Sequence, residues 1–164
     1  MHLAEFNIGI LKYDLDDPRV ADFMNNLDRV YWIAERSPGY VWHLSGDEME
    51  AAQLDSQGVL GGNPRTASTL SVWDSPEALE HFTWNTLHKQ FYDRKTEWYD
   101  DAEQAWGGHR LVMWWVPEGH RPTIVEAVQK LEHLMEYGDT EVAFGWAHLR
   151  TAKLWKTKQC REVA

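Results

Sequence analysis

One stretch, Ser71 to Tyr99, constrains the fold of this 164-residue chain more than any other. Its sequence predicts the end of a strand, a capped turn and one long helix. Ser75 suits the N-cap of that helix, and Pro76 suits its first position. At about 100° per residue, one stripe of the helix is mostly aromatic and apolar, and it consists of Trp84, Leu87, His88, Phe91, Lys95 and Trp98. His88 therefore belongs to an inward face, and we expect this helix to form one wall of a small-molecule pocket.

The other elements follow from hydrophobic period and from turn residues. Strands are predicted over 3–13, 40–44, 68–73, 110–116 and 142–149. Further helices are predicted over 17–36 and between Thr123 and Gly138, the second with a capping box formed by Thr123 and Glu126. Residues 45–67 show no sustained period, which predicts an irregular loop that is either disordered or a lid over a pocket. A polar, basic tail ends the chain.

The order β-α-β-β-α-β, followed by a further helix and strand, predicts one α+β domain with a ferredoxin-like plan. The domain spans residues 1–164, with a core at about 3–150. Helices normally cover only one face of such a sheet. Phe6, Ile8 and Ile10 share one face of the first strand, and an open apolar sheet face favours aggregation. We therefore expect a homodimer in which a second copy packs sheet against sheet.

Composition narrows the possible partners. The formal net charge of −10 disfavours nucleic acid as a partner, because the surface repels phosphate. Cys160 is the only cysteine, so an intrachain disulfide is excluded, and the histidines lack metal-site spacing. The N-terminus lacks the pattern of a signal peptide, and no apolar run approaches membrane-spanning length. These features predict a cytoplasmic protein without a metal site and without a membrane partner.

Ten tryptophans are unusual for a chain of this length. Indole rings at this density indicate either a very aromatic core or a pocket that stacks ligands. The candidate side chains for contact with a small apolar or aromatic molecule are Trp42, Trp84, Tyr92, Trp98, Trp114 and Trp115. Both interpretations stay open from the sequence.

Several motifs carry a family resemblance. S-P-G-Y-V-W, S-V-W-D-S-P-E-A-L, H-K-Q-F-Y-D-R-K-T-E-W-Y and W-W-V-P-E-G-H-R-P-T together resemble the family catalogued as domain of unknown function 3291. That family is placed within the dimeric α/β-barrel superfamily, which includes antibiotic-biosynthesis monooxygenases and haem-degrading enzymes. The resemblance spans Leu3 to about Leu149. It implies a ferredoxin-like dimeric α/β barrel with a pocket between helix and sheet, and it brings no established reaction.

Three function classes follow. Similarity to cofactor-independent monooxygenases implies an aromatic or polycyclic substrate and no tightly bound cofactor, with His88 as the base and with Asn7 and Arg94 holding oxyanions. Similarity to haem-degrading proteins implies instead that His88 binds haem iron, with Asn7 nearby. The third class is a non-catalytic dimeric ligand-binding or interaction module in which the aromatic residues are core. His88 is then a hydrogen-bonded core histidine, and Arg94 forms a salt bridge.

Overall fold

A computed structural model of the chain describes residues 1–99 and 106–149. Its four strands are β1 His2–Ile10, β2 Tyr40–His43, β3 Thr66–Trp73 and β4 Leu111–Val116. The helices are α1 Ala21–Asn25, α2 Leu27–Arg36, α3 Gly46–Leu54, α4 Pro76–Asn85, α5 His88–Asp93, α6 Lys95–Trp98 and α7 Ile124–Tyr137, with a 3-10 turn at Trp106–Gly108. The strands form one antiparallel sheet in the order β2-β3-β1-β4. This arrangement confirms the predicted α+β class and the ferredoxin-like plan.

The long helix predicted before Tyr99 is wrong, because the segment is broken into α4, α5 and α6. Ser75 does cap α4 by accepting a hydrogen bond from the Ala78 N–H at 3.3 Å. The first break lies at Thr86, whose hydroxyl donates to the Phe82 carbonyl at 2.6 Å and accepts from the His88 N–H at 3.2 Å. A threonine side chain that bonds its own backbone competes with the helical ladder. The predicted aromatic stripe is therefore spread over three short helices.

The loop predicted over residues 45–67 is also wrong in its first half, which forms α3. Ser45 and Glu48 make a capping box: the Ser45 hydroxyl accepts from the Glu48 N–H, and the Glu48 carboxylate accepts from the Ser45 N–H at 3.3 Å. This motif satisfies two backbone donors that the first turn of a helix leaves unpaired. Met49 on α3 is buried against the sheet, and so is Leu60 in the turns that follow.

Other boundaries shift by smaller amounts. The predicted helix over 17–36 is divided into α1 and α2 at Asn26, whose side-chain amide donates to the Asp22 carbonyl at 2.8 Å. The predicted last strand over 142–149 is reduced to a single bridge between Phe144 and Met113, followed by a helical turn at 146–149. The capped helix before Gly138 is confirmed as α7. The predicted tail, with Cys160, lies outside the described residues.

Each face of the sheet is covered by helices of the same chain. On one face, which we call the α3/α7 face, Phe6 and Ile8 pack with Met49 and Leu131. On the other, the α2/α4 face, Leu3 packs with residues of α2 and α4. The expectation that a second copy covers Phe6, Ile8 and Ile10 is therefore wrong, because α3 and α7 already bury that face. The homodimer itself stays a prediction, and it would use another surface.

Across residues 1–99 and 106–149, the structure contains no helix with the length and apolar character needed to cross a membrane.

Candidate functional site

A buried carboxyl lies in the centre of the α2/α4 face. Glu5 of β1 is only 5% exposed. Its Oε1 accepts a hydrogen bond from the Asn7 side-chain amide at 2.9 Å, and its Oε2 accepts one from the Ser71 hydroxyl at 3.0 Å. Burial raises the pKa of Glu5 to about 7, although the hydrogen bonds from Asn7 and Ser71 act to lower that pKa. A carboxyl with this pKa can both accept and release a proton near neutral pH.

Two aromatic rings lie on the same side of the sheet as this carboxyl. His43 is the register partner of Ser71, and its ring stacks on Tyr31 of α2 with centroids 4.9 Å apart. The Nδ1 atom of His43 is 2.7 Å from the Tyr40 hydroxyl. Burial lowers the pKa of His43, whereas burial and then the charge of Glu5 raise the pKa of Tyr31. Ionisation of Glu5 therefore makes ionisation of Tyr31 less favourable.

Tyr99 and Arg110 close the other end of the same face. The Tyr99 ring lies directly on Gly9, where a Cβ atom would be 2.5 Å from the ring atom Cε1. The Arg110 guanidinium is 5.4 Å from the centroid of the Tyr99 ring. Burial raises the pKa of Tyr99 strongly, partly opposed by the positive charge of Arg110. The absence of a side chain at Gly9 thus allows the Tyr99 ring to pack against β1.

A surface cleft opens beside the stacked rings of Tyr31 and His43. It has a volume of about 400 Å³ and lies between α2 and the start of α3, so we call it the α2/α3 cleft. Tyr31 and His43 line it, and His43 is the register partner of Ser71, whose hydroxyl donates to Glu5. The remaining lining residues are mostly acidic or small, and they are Asp28, Trp32, Glu35, Ser45, Gly46 and Asp47. The stacked rings of Tyr31 and His43 therefore form one wall of the cleft.

Of the residues predicted from the sequence to be catalytic, Asn7 is the one that bonds directly to this carboxyl. His88 instead packs its ring on Phe82, with centroids 5.0 Å apart, and its Nδ1 is 3.2 Å from the Thr83 carbonyl oxygen. A carbonyl can only accept, so Nδ1 carries the proton and Nε2 is the basic nitrogen. Burial lowers the pKa of His88, which favours this neutral form. Its role as a catalytic base stays a prediction.

Arg94 forms salt bridges at the surface. Its guanidinium pairs with Asp22 and with Glu97, the latter at 2.8 Å, and its side chain is 42% exposed. The salt-bridge interpretation of Arg94 is therefore confirmed. The carboxylates of Asp22 and Glu97 thus occupy N–H donors of the Arg94 guanidinium that an oxyanion would need.

The aromatic residues predicted to contact a ligand lie on both faces of the sheet. Trp42 and Trp114 pack into the α3/α7 face, where the Trp114 indole donates to the Glu126 carboxylate at 2.8 Å. Trp115 packs instead on the α2/α4 side, with its ring centroid 5.9 Å from that of Phe144. A single ligand cannot contact both sets, because the sheet lies between them.

The remaining predicted aromatic residues lie along α4, α5 and α6. Trp98 is fully buried in a small cluster with Leu11 and Val20. Trp84 packs edge-on against Tyr92 at 4.7 Å, and its indole N–H is buried without a hydrogen-bond partner among the described residues. These contacts show packing, and a role in binding substrate stays a prediction for each residue.

Glu5, Tyr31 and His43 are the site residues that sequence reasoning missed. The signal for Glu5 was an acidic residue inside the strand sequence H-L-A-E-F-N-I-G-I, two positions before Asn7 and so on the same face. The pairing of Tyr31 with His43 has no sequence signal, because it depends on how α2 packs against β2.

The fold and site define a ferredoxin-like α+β domain with a carboxyl of raised pKa buried on one face of its sheet. The chain belongs to the family described as Domain of unknown function (DUF3291), whose family model matches residues 2–160. This match confirms the family resemblance seen in the motifs. No curated protein and no solved structure matches the chain. Membership of the dimeric α/β-barrel superfamily stays an expectation.

Proposed function

We propose that this protein is an enzyme acting on a small aromatic molecule, in which Glu5 accepts a proton from a ligand that enters through the α2/α3 cleft. The observation that carries the proposal is the buried carboxyl itself. Its two hydrogen-bond donors, Asn7 and Ser71, are both neutral, and its pKa is raised to about 7. Buried carboxylates in a structural role are normally paired with a cation, because an unpaired charge is costly to bury.

The proposed step is a simple proton transfer. A ligand O–H or C–H bond breaks, its electron pair stays on the ligand, and the proton adds to the Glu5 carboxylate. A general base is most effective when its pKa is near the working pH, and a pKa of about 7 meets that condition. The Asn7 amide and the Tyr31 hydroxyl are the neighbouring groups that can donate to the resulting anion.

The geometry of the entrance favours a flat, neutral ligand. Tyr31 and His43 present stacked rings, which suit an aromatic plane. Asp28, Glu35 and Asp47 around the cleft repel an anion before it binds. Because Glu5 is only 5% exposed, the proposal requires the Tyr31 or His43 ring to rotate before a ligand reaches Glu5. A phenol meets these requirements, since it enters neutral and becomes an anion only beside Glu5.

The reaction we propose for that anion is direct oxidation by dioxygen, without a tightly bound cofactor. A phenolate is electron-rich and can react with dioxygen at the ring carbon opposite its oxygen. One oxygen atom then becomes a quinone carbonyl. The other leaves as water with two hydrogens, one from the phenol O–H and one from the ring C–H. Resemblance to antibiotic-biosynthesis monooxygenases supports this reaction class, and the same resemblance supports a homodimer.

The test uses 1-naphthol as probe, with oxygen consumption and naphthoquinone absorbance as readouts and tryptophan fluorescence for binding. We expect Glu5→Gln to bind 1-naphthol but to lose about 10²–10⁴-fold in turnover, the usual contribution of a general base. Glu50→Gln, at an exposed carboxyl of α3, is the control and should behave like the unmodified protein. Full turnover by Glu5→Gln contradicts the proposal. So does an unmodified protein that binds no 1-naphthol and carries no small molecule in native mass spectrometry.

One observation favours haem binding as a second candidate function. Histidines that bind metals usually donate their other ring N–H to a carbonyl or carboxylate, as His88 does to Thr83. Within the described residues, no three His, Cys, Asp or Glu side chains are placed to hold a metal ion together, so His88 would act as a single axial ligand. A Soret band on addition of haem, lost in His88→Ala but kept in the control His81→Ala, would support this alternative. An unchanged spectrum of free haem would reject it.

A further inference from the structure

A chain of three side chains on the α2/α4 face ends at the candidate catalytic carboxyl. The Trp73 indole N–H donates to the Ser71 hydroxyl oxygen at 2.9 Å, and the Ser71 hydroxyl donates to Glu5 Oε2 at 3.0 Å. We propose that Trp73 is a positioning residue, which directs the Ser71 hydroxyl proton toward Glu5 and so keeps Glu5 in the form that accepts a proton. This inference deepens the proposed function and rests on it.

The direction of both hydrogen bonds is fixed by the chemistry of the groups. An indole N–H can only donate, whereas a serine hydroxyl has one proton and two lone pairs. Because Ser71 accepts from Trp73, its own proton is left to donate, and Glu5 is its acceptor. A Glu5 protonated on Oε2 would instead need Ser71 to accept there. Trp73 already occupies one lone pair of Ser71, so it makes that reversal less favourable.

Strand geometry holds the three groups in line. Ser71 and Trp73 are two residues apart on β3 and so point to the same face, and Glu5 is the register partner of Ser71 on β1. The Trp73 ring is 1% exposed, stacks on Phe82 at 5.0 Å and meets Tyr40 edge-on at 5.8 Å. The indole N–H therefore cannot turn away from Ser71 without disturbing the core.

This chain of hydrogen bonds leaves lone pairs on the Glu5 carboxylate that can accept a hydrogen bond from a ligand. An ionised carboxylate has about four lone-pair sites on its two oxygens. Asn7 and Ser71 use one on each oxygen. The remaining lone pairs are therefore available to a donor on the ligand, while Asn7 and Ser71 fix the plane of the carboxylate.

The experiment is a ¹³C NMR titration of the Glu5 carboxyl in the ligand-free full-length chain, with Glu5→Gln identifying the signal. Ser71→Ala should raise the titration midpoint by about one pH unit, because it removes a hydrogen bond to the charged form. Trp73→Phe should raise the midpoint by a smaller amount, because the Ser71 hydroxyl becomes free to accept from the protonated carboxyl. Phe6→Leu is the control: it alters a fully buried ring on the opposite face of β1 and should leave the midpoint unchanged.

A second measurement avoids altering Trp73, in case Trp73→Phe does not fold. The ¹⁵N–¹H signal of the Trp73 indole should shift with pH at the Glu5 midpoint in the unmodified protein, and that shift should disappear in Glu5→Gln and in Ser71→Ala. An indole signal that ignores the Glu5 titration overturns the inference. So does a folded Trp73→Phe or Ser71→Ala protein with an unchanged midpoint. Failure of the proposed function is distinct, since it would appear as turnover independent of Glu5 with these midpoints still moved.

Discussion

The two faces of β1 show how one strand meets two different demands. On the α3/α7 face, Phe6 and Ile8 pack into a cluster formed by apolar side chains of the strands and helices. On the α2/α4 face, the alternate positions carry Glu5 and Asn7, held by hydrogen bonds beneath α2. Both faces of β1 are buried. Burial is favourable for the apolar side chains on the α3/α7 face, whereas it is unfavourable for the carboxyl of Glu5 on the α2/α4 face. The difference indicates that the α3/α7 face of β1 stabilises the fold, whereas its α2/α4 face holds the polar residues to which we assign the proposed proton transfer.

The largest expected effect tests the stabilising face. Phe6→Ala should lower the free energy of unfolding by about 3–5 kcal/mol, because it removes a fully buried ring and leaves a cavity. Urea denaturation monitored by tryptophan fluorescence measures this loss. Val125→Ala, at a half-exposed position on α7, is the control and should have little effect. A loss below about 1 kcal/mol for Phe6→Ala would break the comparison between the two faces.

The next prediction tests how much stability is lost by burying Glu5 on the α2/α4 face. The folded protein holds the pKa of Glu5 at about 7 against an ordinary value of 4.5, so the folded state binds more protons between those two values. The contribution of Glu5 to the free energy of unfolding therefore falls as pH rises through this window, by about 3 kcal/mol in all. Glu5→Gln removes the charge but keeps the shape, and should be more stable than the unmodified protein by about that amount at pH 8.

Urea denaturation at pH 4 and pH 8 checks this prediction. At pH 4, Glu5 is mostly protonated in both the folded and the unfolded state, so the two proteins should have nearly the same free energy of unfolding. Equal stability at pH 8 would show that the buried carboxyl costs nothing, and the two faces would then differ in polarity without differing in stability.

A smaller loss is expected from Gly9→Ala, also on the α2/α4 face. The added Cβ would lie 2.5 Å from the Tyr99 ring, so the ring or the strand must move. Overpacking of this kind usually costs about 1–3 kcal/mol. Thermal unfolding measures the loss, and Gly46→Ala is a suitable control because a Cβ at Gly46 meets open space. If Gly9→Ala is as stable as the control, the contact between Tyr99 and β1 is looser than the structure shows.

The smallest expected effect concerns α3, which covers the α3/α7 face of the sheet and also borders the α2/α3 cleft. Ser45→Ala removes the capping box of α3 and should lower the free energy of unfolding by about 1 kcal/mol, as is usual for an N-cap. Ser45→Asp should retain most of the stability, since aspartate is also a good N-cap. Urea denaturation of the two variants side by side measures the difference. A loss in Ser45→Asp equal to that in Ser45→Ala would show that the cap contributes little.

Local signals in the sequence predicted much of the fold. Ser75 and Pro76 marked the start of α4, Thr123 marked the start of α7, apolar residues at alternate positions marked β1, and a continuous apolar run marked β4. The breaks were harder to predict, because the Thr86 hydroxyl ends a helix through hydrogen bonds that an amphipathic pattern does not encode. The capping box at Ser45 was present in the sequence, but the weak apolar period after it concealed α3.

The site was less predictable than the fold. Asn7 was identified by its place on the first strand, but its partner Glu5 was missed because a single acid in a strand is usually solvent-exposed. Pairing of Glu5 with Ser71 depends on the register between β1 and β3, and stacking of His43 on Tyr31 depends on the position of α2. Arg94 has an exposed salt bridge that the sequence could not separate from an oxyanion-binding role, because its partner Asp22 is distant in the chain.

The bridge between Met113 and Phe144 affects how copies of this chain can associate. Its two backbone hydrogen bonds, 2.8 and 2.9 Å long, occupy part of the outer edge of β4. The opposite edge strand, β2, has only four residues and a register shift between Tyr40 and Trp42. Short, irregular or covered edges discourage strand addition, the route by which sheets join into ribbons and fibrils. Any ordered assembly of this protein should therefore form through side-chain surfaces on its helices and loops, without a continuous sheet between copies.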